Sequence, residues 1–229
     1  MRKFLFAAAA AVVALASPAL AAPAAHPDMT GVWQITGYSP TLKSADGQPP
    51  PLTPAAKAVY DKNKAALAKG DHSWDPAKAC IPEGLPRLMT VNKPFEILQR
   101  DKAVFFVAQN RLPRRAYIGE QLPTDPELLY LGYSVGRWDG DSFVVESSGF
   151  RDVTFLDDSG MPHSDQLKLT ERYTPSKDGK GLDLKLTITD PKTFTKPWTS
   201  ATIHYQKKPG YQIPEEVCAE SLKTTAPRR

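Results

Sequence analysis

The segment 163–173, HSDQLKLTERY, brings together a histidine and a glutamate, two side chains that can act as a general base and a general acid. Apolar and polar residues alternate from Leu167 onward, which predicts a β-strand with Glu171 on its apolar face. His163 lies just before that strand. We therefore predict that Glu171 is either an acid placed in a core for catalysis or the buried partner of an ion pair.

An arginine is the expected partner of Glu171, because a buried carboxylate must be neutralised. Arg115 and Arg137 are the two candidates, and Arg137 alternates in phase with Tyr133 in the segment GYSVGRW. A guanidinium that faces a cavity can instead hold a ligand carboxylate through two parallel hydrogen bonds. Each arginine is thus predicted to be either an ion-pair partner or a ligand-binding residue.

His163 lies in DDSGMPHSD, which is typical of a turn at the end of a strand, and such loops hold functional residues more often than cores do. Its imidazole could act as a general base that is oriented by a neighbouring aspartate. It could equally bond the backbone of its own turn and have no chemical role. The predicted catalytic residues are His163 and Glu171, and the candidate orienting groups are Asp157, Asp158 and Asp165.

A second histidine, His204, alternates in phase with Trp198 in the segment WTSATIHY. It is either a hydrogen-bonded histidine of the core or sheet edge, or a side chain that reaches a ligand. If these strand faces point into a barrel, charged and aromatic side chains converge in an apolar cavity, as in many ligand sites. The predicted ligand-binding residues are Arg115, Tyr133, Arg137, Trp198 and His204.

Several kinds of site are disfavoured by composition and motifs. The sequence has no H-x-H, HExxH or C-x-x-C motif and no P-loop, so we predict neither a metal nor a cofactor. The formal net charge of +4 becomes +2 once Arg2 and Lys3 are removed with the leader described below. A nearly neutral chain does not favour nucleic acid as a partner.

The N-terminus has the features of a secretory signal peptide. Arg2 and Lys3 precede an apolar stretch over 4–17, and the small residues ALA at 19–21 form a cleavage signal. We predict cleavage after Ala21 and a periplasmic or secreted mature chain, 22–229, without an integral membrane segment. That length suits a single domain with a substantial core.

The sequence contains two cysteines, Cys80 and Cys218. In an oxidising exported compartment an even number of cysteines indicates a disulfide, which would tie the C-terminal tail to the loop before the main sheet. The alternative is two separate buried thiols.

Most of the chain has the pattern of a β protein. Thr53 and Pro54 mark the start of one helix, and Asp139 with Gly140 marks a tight hairpin turn. Short strands without helical crossovers indicate an antiparallel barrel or sandwich. The predicted elements are a strand over 30–38, a helix over about 54–69, an irregular loop over about 71–94, and further strands from about 95. The later strands include DVTFL at 152–156 and WTSATIHYQ at 198–206. The predicted total is about nine or ten strands.

Two resemblances add to this pattern. Gly31 and Trp33 in GVW resemble the Gly-x-Trp signature of lipocalin or calycin barrels. Over nearly the whole mature chain, motifs such as CIPEGLPRLM, GYSVGRWDGDSFVVESSGF, HSDQLKLTERY and ITDPKTFTKPWT resemble a family of exported bacterial proteins of unknown function. That second resemblance implies a shared β-rich fold and export, but it implies no activity.

The sequence therefore predicts a mainly β protein, a single antiparallel lipocalin-like barrel with one accessory N-terminal helix. The function we predict is binding of a small, largely apolar ligand in the periplasm. One alternative is a periplasmic lyase, isomerase or hydrolase that uses His163 and Glu171. The other alternative is a structural or assembly protein of the cell envelope.

Overall fold

A computed structural model of the chain describes residues 26–108, 112–215 and 218. The predicted signal peptide and its cleavage site lie outside the described residues. Among the helices of the described part, none is both long enough and apolar enough to cross a membrane.

The protein is mainly β, and nine of its strands close into a barrel. The strands follow one another around the barrel in chain order, and the last of them pairs with both the first and the eighth. A short additional strand, β9, pairs with β8 outside this closed ring. The strands are β1 (Gly31–Thr36), β2 (Phe95–Arg100), β3 (Ala103–Ala108), β4 (Arg114–Ile118), β5 (Tyr133–Asp139), β6 (Ser142–Ser148), β7 (Lys168–Pro175), β8 (Gly181–Thr189), β9 (Trp198–Thr199) and β10 (Ile203–Lys207).

The closed barrel with its accessory helix confirms the predicted fold class, and one seam differs from the antiparallel pattern. β4 and β5 are parallel and pair through Tyr117 with Val135 and Ile118 with Gly136. A parallel pair needs a connection that returns the chain to the same end of the sheet. The segment 119–132 supplies this connection, and it runs along the outside of the barrel.

The accessory helix, α1 (Pro54–Leu67), begins where the sequence predicts. The hydroxyl of Thr53 accepts a hydrogen bond from the backbone N–H of Ala56 at 3.4 Å, which satisfies one free donor of the first turn. The helix ends two residues earlier than predicted, and Gly70 adopts a left-handed conformation just beyond it. A second short helix, α2 (Arg87–Thr90), and a 3₁₀ turn, Pro76–Ala79, lie in the predicted irregular loop.

Long segments cover one end of the barrel, the end at which β1 finishes and β2 begins. The segments 37–94 and 149–167 both lie at this upper end and bond to each other, for example through Ser159 N–H and the Pro40 carbonyl at 3.0 Å. Buried leucines and methionines from both segments, including Leu85 and Met161, join the core. The predicted strand at 152–156 is absent, because this part of the chain is an irregular stretch of the cover.

The barrel interior is filled by its own side chains. Tyr205, Phe95, Phe106 and Tyr173 form a row of neighbouring rings, with centroids 5.1 to 6.5 Å apart. Phe143 occupies the space beside Gly136, where any larger residue would overlap its ring. The aromatic row therefore occupies the region in which the sequence predicts a ligand cavity.

The predicted disulfide between Cys80 and Cys218 is confirmed, with the two Cα atoms 5.8 Å apart. It links the loop after the 3₁₀ turn to the C-terminal part of the chain across 138 positions. This covalent link ties Cys218 to the segment 37–94 that covers the barrel.

Candidate functional site

Glu171 lies inside the barrel, as its strand alternation predicts, but its partner is Arg114 rather than Arg115 or Arg137. Arg114 donates to Glu171 Oε1 at 2.9 Å through Nη1 and to Oε2 through Nη2. The Tyr173 hydroxyl also donates to Oε1, at 2.8 Å. Both carboxylate oxygens are therefore engaged by neighbouring side chains.

Two serines complete this buried network. Arg114 donates to Ser134 Oγ at 3.2 Å and to Ser147 Oγ at 3.0 Å, and the two hydroxyls are 2.8 Å apart. The residues come from β4, β5, β6 and β7, which are consecutive in the sheet. The network thus ties together four strands, including the two that meet at the parallel seam.

The electrostatics of the network stabilise the ion pair. Burial opposes the charged form of Arg114, but the Glu171 carboxylate and the hydrogen bonds around the guanidinium together outweigh it, so the pKa of Arg114 is raised. Burial, together with the same carboxylate, raises the pKa of Tyr173 well above its ordinary value. A permanently charged arginine and a neutral tyrosine therefore surround Glu171, which is the arrangement of a structural ion pair.

Ser134 lies in GYSVG, 132–136, which matches the G-x-S-x-G pattern of hydrolase nucleophiles. That pattern needs a sharp turn between a strand and a helix, with the serine exposed. Here Ser134 is inside β5, 4% exposed, and bonded to Arg114 and Ser147. The match therefore does not correspond to a nucleophile elbow.

Arg137 lies on the outside of the barrel, which corrects the predicted inward orientation. It is exposed and donates to Glu146 at 2.7 Å on the outer face. The inward residues of β5 are instead Ser134 and Gly136. The small side chain of Ser134 leaves room for Arg114, and the absence of a side chain at Gly136 leaves room for Phe143. Alternation alone could not settle which face is inside, because Tyr133 and Val135 make the outer face look apolar.

His163 is buried at the upper end, 5% exposed, and not at an open mouth. Its Nδ1–H donates to the Ser164 carbonyl at 3.0 Å, and Nε2 accepts from the Thr154 hydroxyl at 2.8 Å. Burial lowers the pKa of His163, although the hydrogen bond to Ser164 and the nearby Asp190 and Asp152 act in the opposite direction. The neutral imidazole thus has a hydrogen-bond partner at each ring nitrogen, and neither partner also bonds Glu171.

The aspartates proposed to orient His163 have other partners. Asp157 accepts from the backbone N–H groups of Leu42, Ser159 and Met161 at 3.0 to 3.1 Å. Asp158 accepts from Arg87, and Asp165 from Lys192. Each carboxylate therefore connects loops of the cover and not the imidazole.

Trp198 and His204 do not share a face, because an irregular stretch at 200–202 separates β9 from β10 and breaks the alternation. Trp198 is buried against Phe194, with ring centroids 5.5 Å apart. His204 is exposed and bonds Asp183 at 2.7 Å on the outer surface. These two residues therefore contribute to different parts of the molecule.

Arg87 forms a second buried ion cluster, which the sequence analysis did not identify. It donates twice to Asp75, at 2.8 and 2.7 Å, and once to Asp158 at 2.6 Å. The Tyr38 hydroxyl donates to the other oxygen of Asp158 at 2.6 Å. The cluster joins three loops of the cover. No regular spacing links these residues, so the sequence offered no pattern that could have found it.

An open cleft of about 860 Å³ lies on the outer wall, between β4 and β5. Arg115 and Tyr133, two of the predicted ligand-binding residues, both line it. Its walls are mostly apolar, and Arg114 and Ser134 lie at the inner wall. The apolar lining includes Leu112, Tyr117, Leu129, Leu131 and Val135.

The cleft exists because β4 and β5 pair at one end and separate at the other. The segment before β5 is drawn toward the β6 side, where Leu129 N–H donates to the Gly149 carbonyl and Arg151 N–H donates to the Leu129 carbonyl, both at 2.9 Å. Gly132 permits this path. Its φ is +59°, and a Cβ there would meet the Ser148 carbonyl oxygen at 2.5 Å.

Arg115 is held at the cleft by aromatic neighbours. Its guanidinium carbon lies 4.9 Å from the centre of the Phe105 ring and 5.3 Å from that of Tyr117. Its Nη1 donates to the Tyr117 hydroxyl at 2.8 Å. These contacts orient the guanidinium while its remaining donors stay available.

The fold and the cleft define a closed, mainly β barrel that is packed inside and carries a ligand-sized cleft on its wall. No protein-family model matches the chain, and neither a curated protein nor a solved structure matches it. The resemblances to exported bacterial proteins and to lipocalins therefore stay predictions.

Proposed function

We propose that this protein is exported and binds a small, largely apolar molecule in the cleft between β4 and β5. The observation that carries the proposal is the cleft itself, about 860 Å³ in volume and lined mostly by apolar side chains with a few polar groups. Clefts of 300 to 1,000 Å³ with this kind of lining are typical of sites for small molecules. The disulfide agrees with an oxidising compartment.

This location differs from the predicted one, which was the barrel interior. The interior is occupied by the aromatic row and by the Arg114–Glu171 pair, whereas the seam leaves space on the outside. Two predicted ligand-binding residues, Arg115 and Tyr133, line the cleft and support the same class of function at the new location.

The geometry of the predicted catalytic residues favours binding over catalysis. Glu171 is bonded through both oxygens, and His163 through both ring nitrogens. A general acid or base needs a free position within hydrogen-bond reach of a substrate. The enzymatic alternative therefore stays a hypothesis without a specific observation in its favour, and so does the structural or assembly role.

Binding can be tested with N-phenyl-1-naphthylamine, an uncharged fluorescent probe whose emission rises in apolar surroundings. Leu129 and Leu128 offer a matched pair of variants, because they are adjacent and are 36% and 38% exposed, but only Leu129 lines this cleft. We expect saturable binding with one site per chain. Leu129→Gln should weaken it about tenfold, the loss of roughly 1.5 kcal/mol of apolar contact.

Leu128→Gln should leave the affinity for the probe unchanged. Equal affinities for the wild type and both variants, or fluorescence that never saturates, would contradict binding in this cleft. Both positions are exposed and both substitutions are uncharged, so we expect neither variant to change the midpoint of urea unfolding. An unchanged midpoint shows that the variants are folded.

A further inference from the structure

We infer that the molecule bound in the cleft carries a single negative charge and that Arg115 binds the charged group. This inference rests on the proposed function, since it concerns the same cleft. It specifies the ligand class as an aromatic or alkyl body with one carboxylate or sulfonate.

The charge of Arg115 is not neutralised by a direct ion pair with any acid of the described chain. Four other arginines bond carboxylates, namely Arg87 with Asp75, Arg114 with Glu171, Arg137 with Glu146, and Arg172 with Asp139. Arg100 and Arg151 bond backbone carbonyls instead, and neither of them lines this cleft. Within the described residues, Arg115 instead bonds the neutral hydroxyl of Tyr117. A cation at an apolar cleft without a counter-ion attracts an anion.

The shape of the Arg115 guanidinium also suits an anion. A guanidinium has five N–H donors in a planar fork that matches the two oxygens of a carboxylate or sulfonate. One donor of Arg115 is used by Tyr117, and the rings of Phe105 and Tyr117 restrict the movement of the fork. Less side-chain entropy is then lost when an anion binds.

The other charged residues that line the cleft are Arg114 and Glu120. Arg114 lies at the inner wall but is neutralised by Glu171, so it adds little attraction for an anion. Glu120 also lines the cleft, but within the described part of the chain Arg115 bonds Tyr117 and not this carboxylate. Among the described lining residues, Arg115 is the cation without an ion-pair partner, and it can neutralise one negative charge. A doubly charged group such as phosphate would keep an uncompensated charge in the same cleft as Glu120, which is why we infer a monoanion.

The test compares two probes with nearly the same aromatic body, anionic 1-anilinonaphthalene-8-sulfonate and neutral N-phenyl-1-naphthylamine. The wild type should bind the sulfonate at least tenfold more tightly than the neutral probe. Arg115→Gln should remove this preference, and it should weaken the binding of the sulfonate much more than that of the neutral probe. The preference should also shrink as salt rises, because exposed charges are screened.

Two control variants make the result specific. Arg137→Gln removes an exposed arginine of the adjacent strand that does not line the cleft, and it should retain the full preference for the sulfonate. Arg115→Lys keeps the charge but not the fork, and it should retain part of the preference.

The outcomes separate the two proposals. Suppose that the neutral probe binds and that Leu129→Gln weakens its binding. If the wild type then shows no preference for the sulfonate, or if Arg115→Gln keeps that preference, the monoanion inference is overturned and the cleft remains a binding site. If neither probe responds to Leu129→Gln, the cleft is not the site and both proposals fail. An equal loss of both probes in a folded Arg115→Gln protein would also overturn the charge argument.

Discussion

Arg114 on β4 and Glu171 on β7 meet inside the barrel with side chains that are 1% and 0% exposed, although 57 positions separate them in the sequence. β5 and β6 lie between their strands, and each contributes a serine that bonds Arg114. At the seam, where β4 and β5 share few backbone pairings, these side chains supply connections that the backbone does not. We expect the ion pair to stabilise the wall that carries the cleft.

Glu171→Gln should strongly destabilise the protein, because it leaves the Arg114 charge buried without a counter-ion. Breaking a buried pair from one side typically costs about 3–5 kcal/mol. Replacing both residues, as in Arg114→Met with Glu171→Leu, should recover much of this loss, since apolar pairs of similar volume avoid the desolvation penalty. Urea unfolding of the three proteins measures the effect.

The exposed pair Arg137–Glu146 provides the control for this experiment. Glu146→Gln should change the free energy of unfolding by less than about 1 kcal/mol, because surface ion pairs contribute little. A similarly small effect of Glu171→Gln would show that the buried pair is not important for stability.

Gly136→Ala tests the packing of the barrel interior. A methyl group at this position would overlap the Phe143 ring, and overpacking in a core costs typically 1–3 kcal/mol. Phe143→Leu in the same protein should reduce the cost of the alanine, and a double-mutant cycle measures that coupling. Gly181→Ala is the control, because a Cβ there would lie 3.2 Å from the Ser176 hydroxyl, whereas a Cβ at Gly136 would overlap the Phe143 ring.

His163 should make stability depend on pH below about pH 6.5. Burial lowers the pKa of His163 in the folded state, whereas a histidine of the unfolded chain takes up a proton near pH 6.5. The unfolded state therefore binds more protons, and the stabilisation is complete above about pH 6.5 and is lost as the pH falls toward the folded pKa. The slope can reach about 1.4 kcal/mol per pH unit.

The informative quantity is the difference between the wild type and His163→Gln in urea unfolding at each pH. Asp157, whose pKa is raised by burial, contributes with the opposite sign, but it is present in both proteins and cancels. The variant should have the flatter profile in this range. Parallel profiles would mean that His163 does not remain neutral in the folded protein.

Removing the disulfide should lower the free energy of unfolding by about 2–5 kcal/mol, with the upper value favoured by the long loop that it closes. The double variant Cys80→Ser and Cys218→Ser, unfolded by guanidinium chloride, measures this loss. Dithiothreitol should shift the wild-type midpoint toward that of the variant and leave the variant unchanged. A double variant as stable as the oxidised wild type would contradict the prediction.

Local features of the fold could be predicted because each depends on a few neighbouring residues. The alternation in β7 places Glu171 and Tyr173 inside, and Thr53 with Pro54 starts α1, as predicted. The pair of cysteines forms the disulfide. Strand periodicity and helix capping depend on neighbouring residues, and the number of cysteines can be counted directly.

The sequence by itself therefore determined a mainly β barrel with one accessory helix and an inward Glu171, whereas the tertiary structure decided which arginine that carboxylate meets. Arg114 and Arg115 are adjacent, so one must face inward and the other outward, and the closure of the barrel decides which. The cleft depends on the parallel pairing of β4 and β5, which arises from the path of 119–132 around the outside. Contacts of this kind depend on strand register and barrel shape, and no local pattern of residues encodes them.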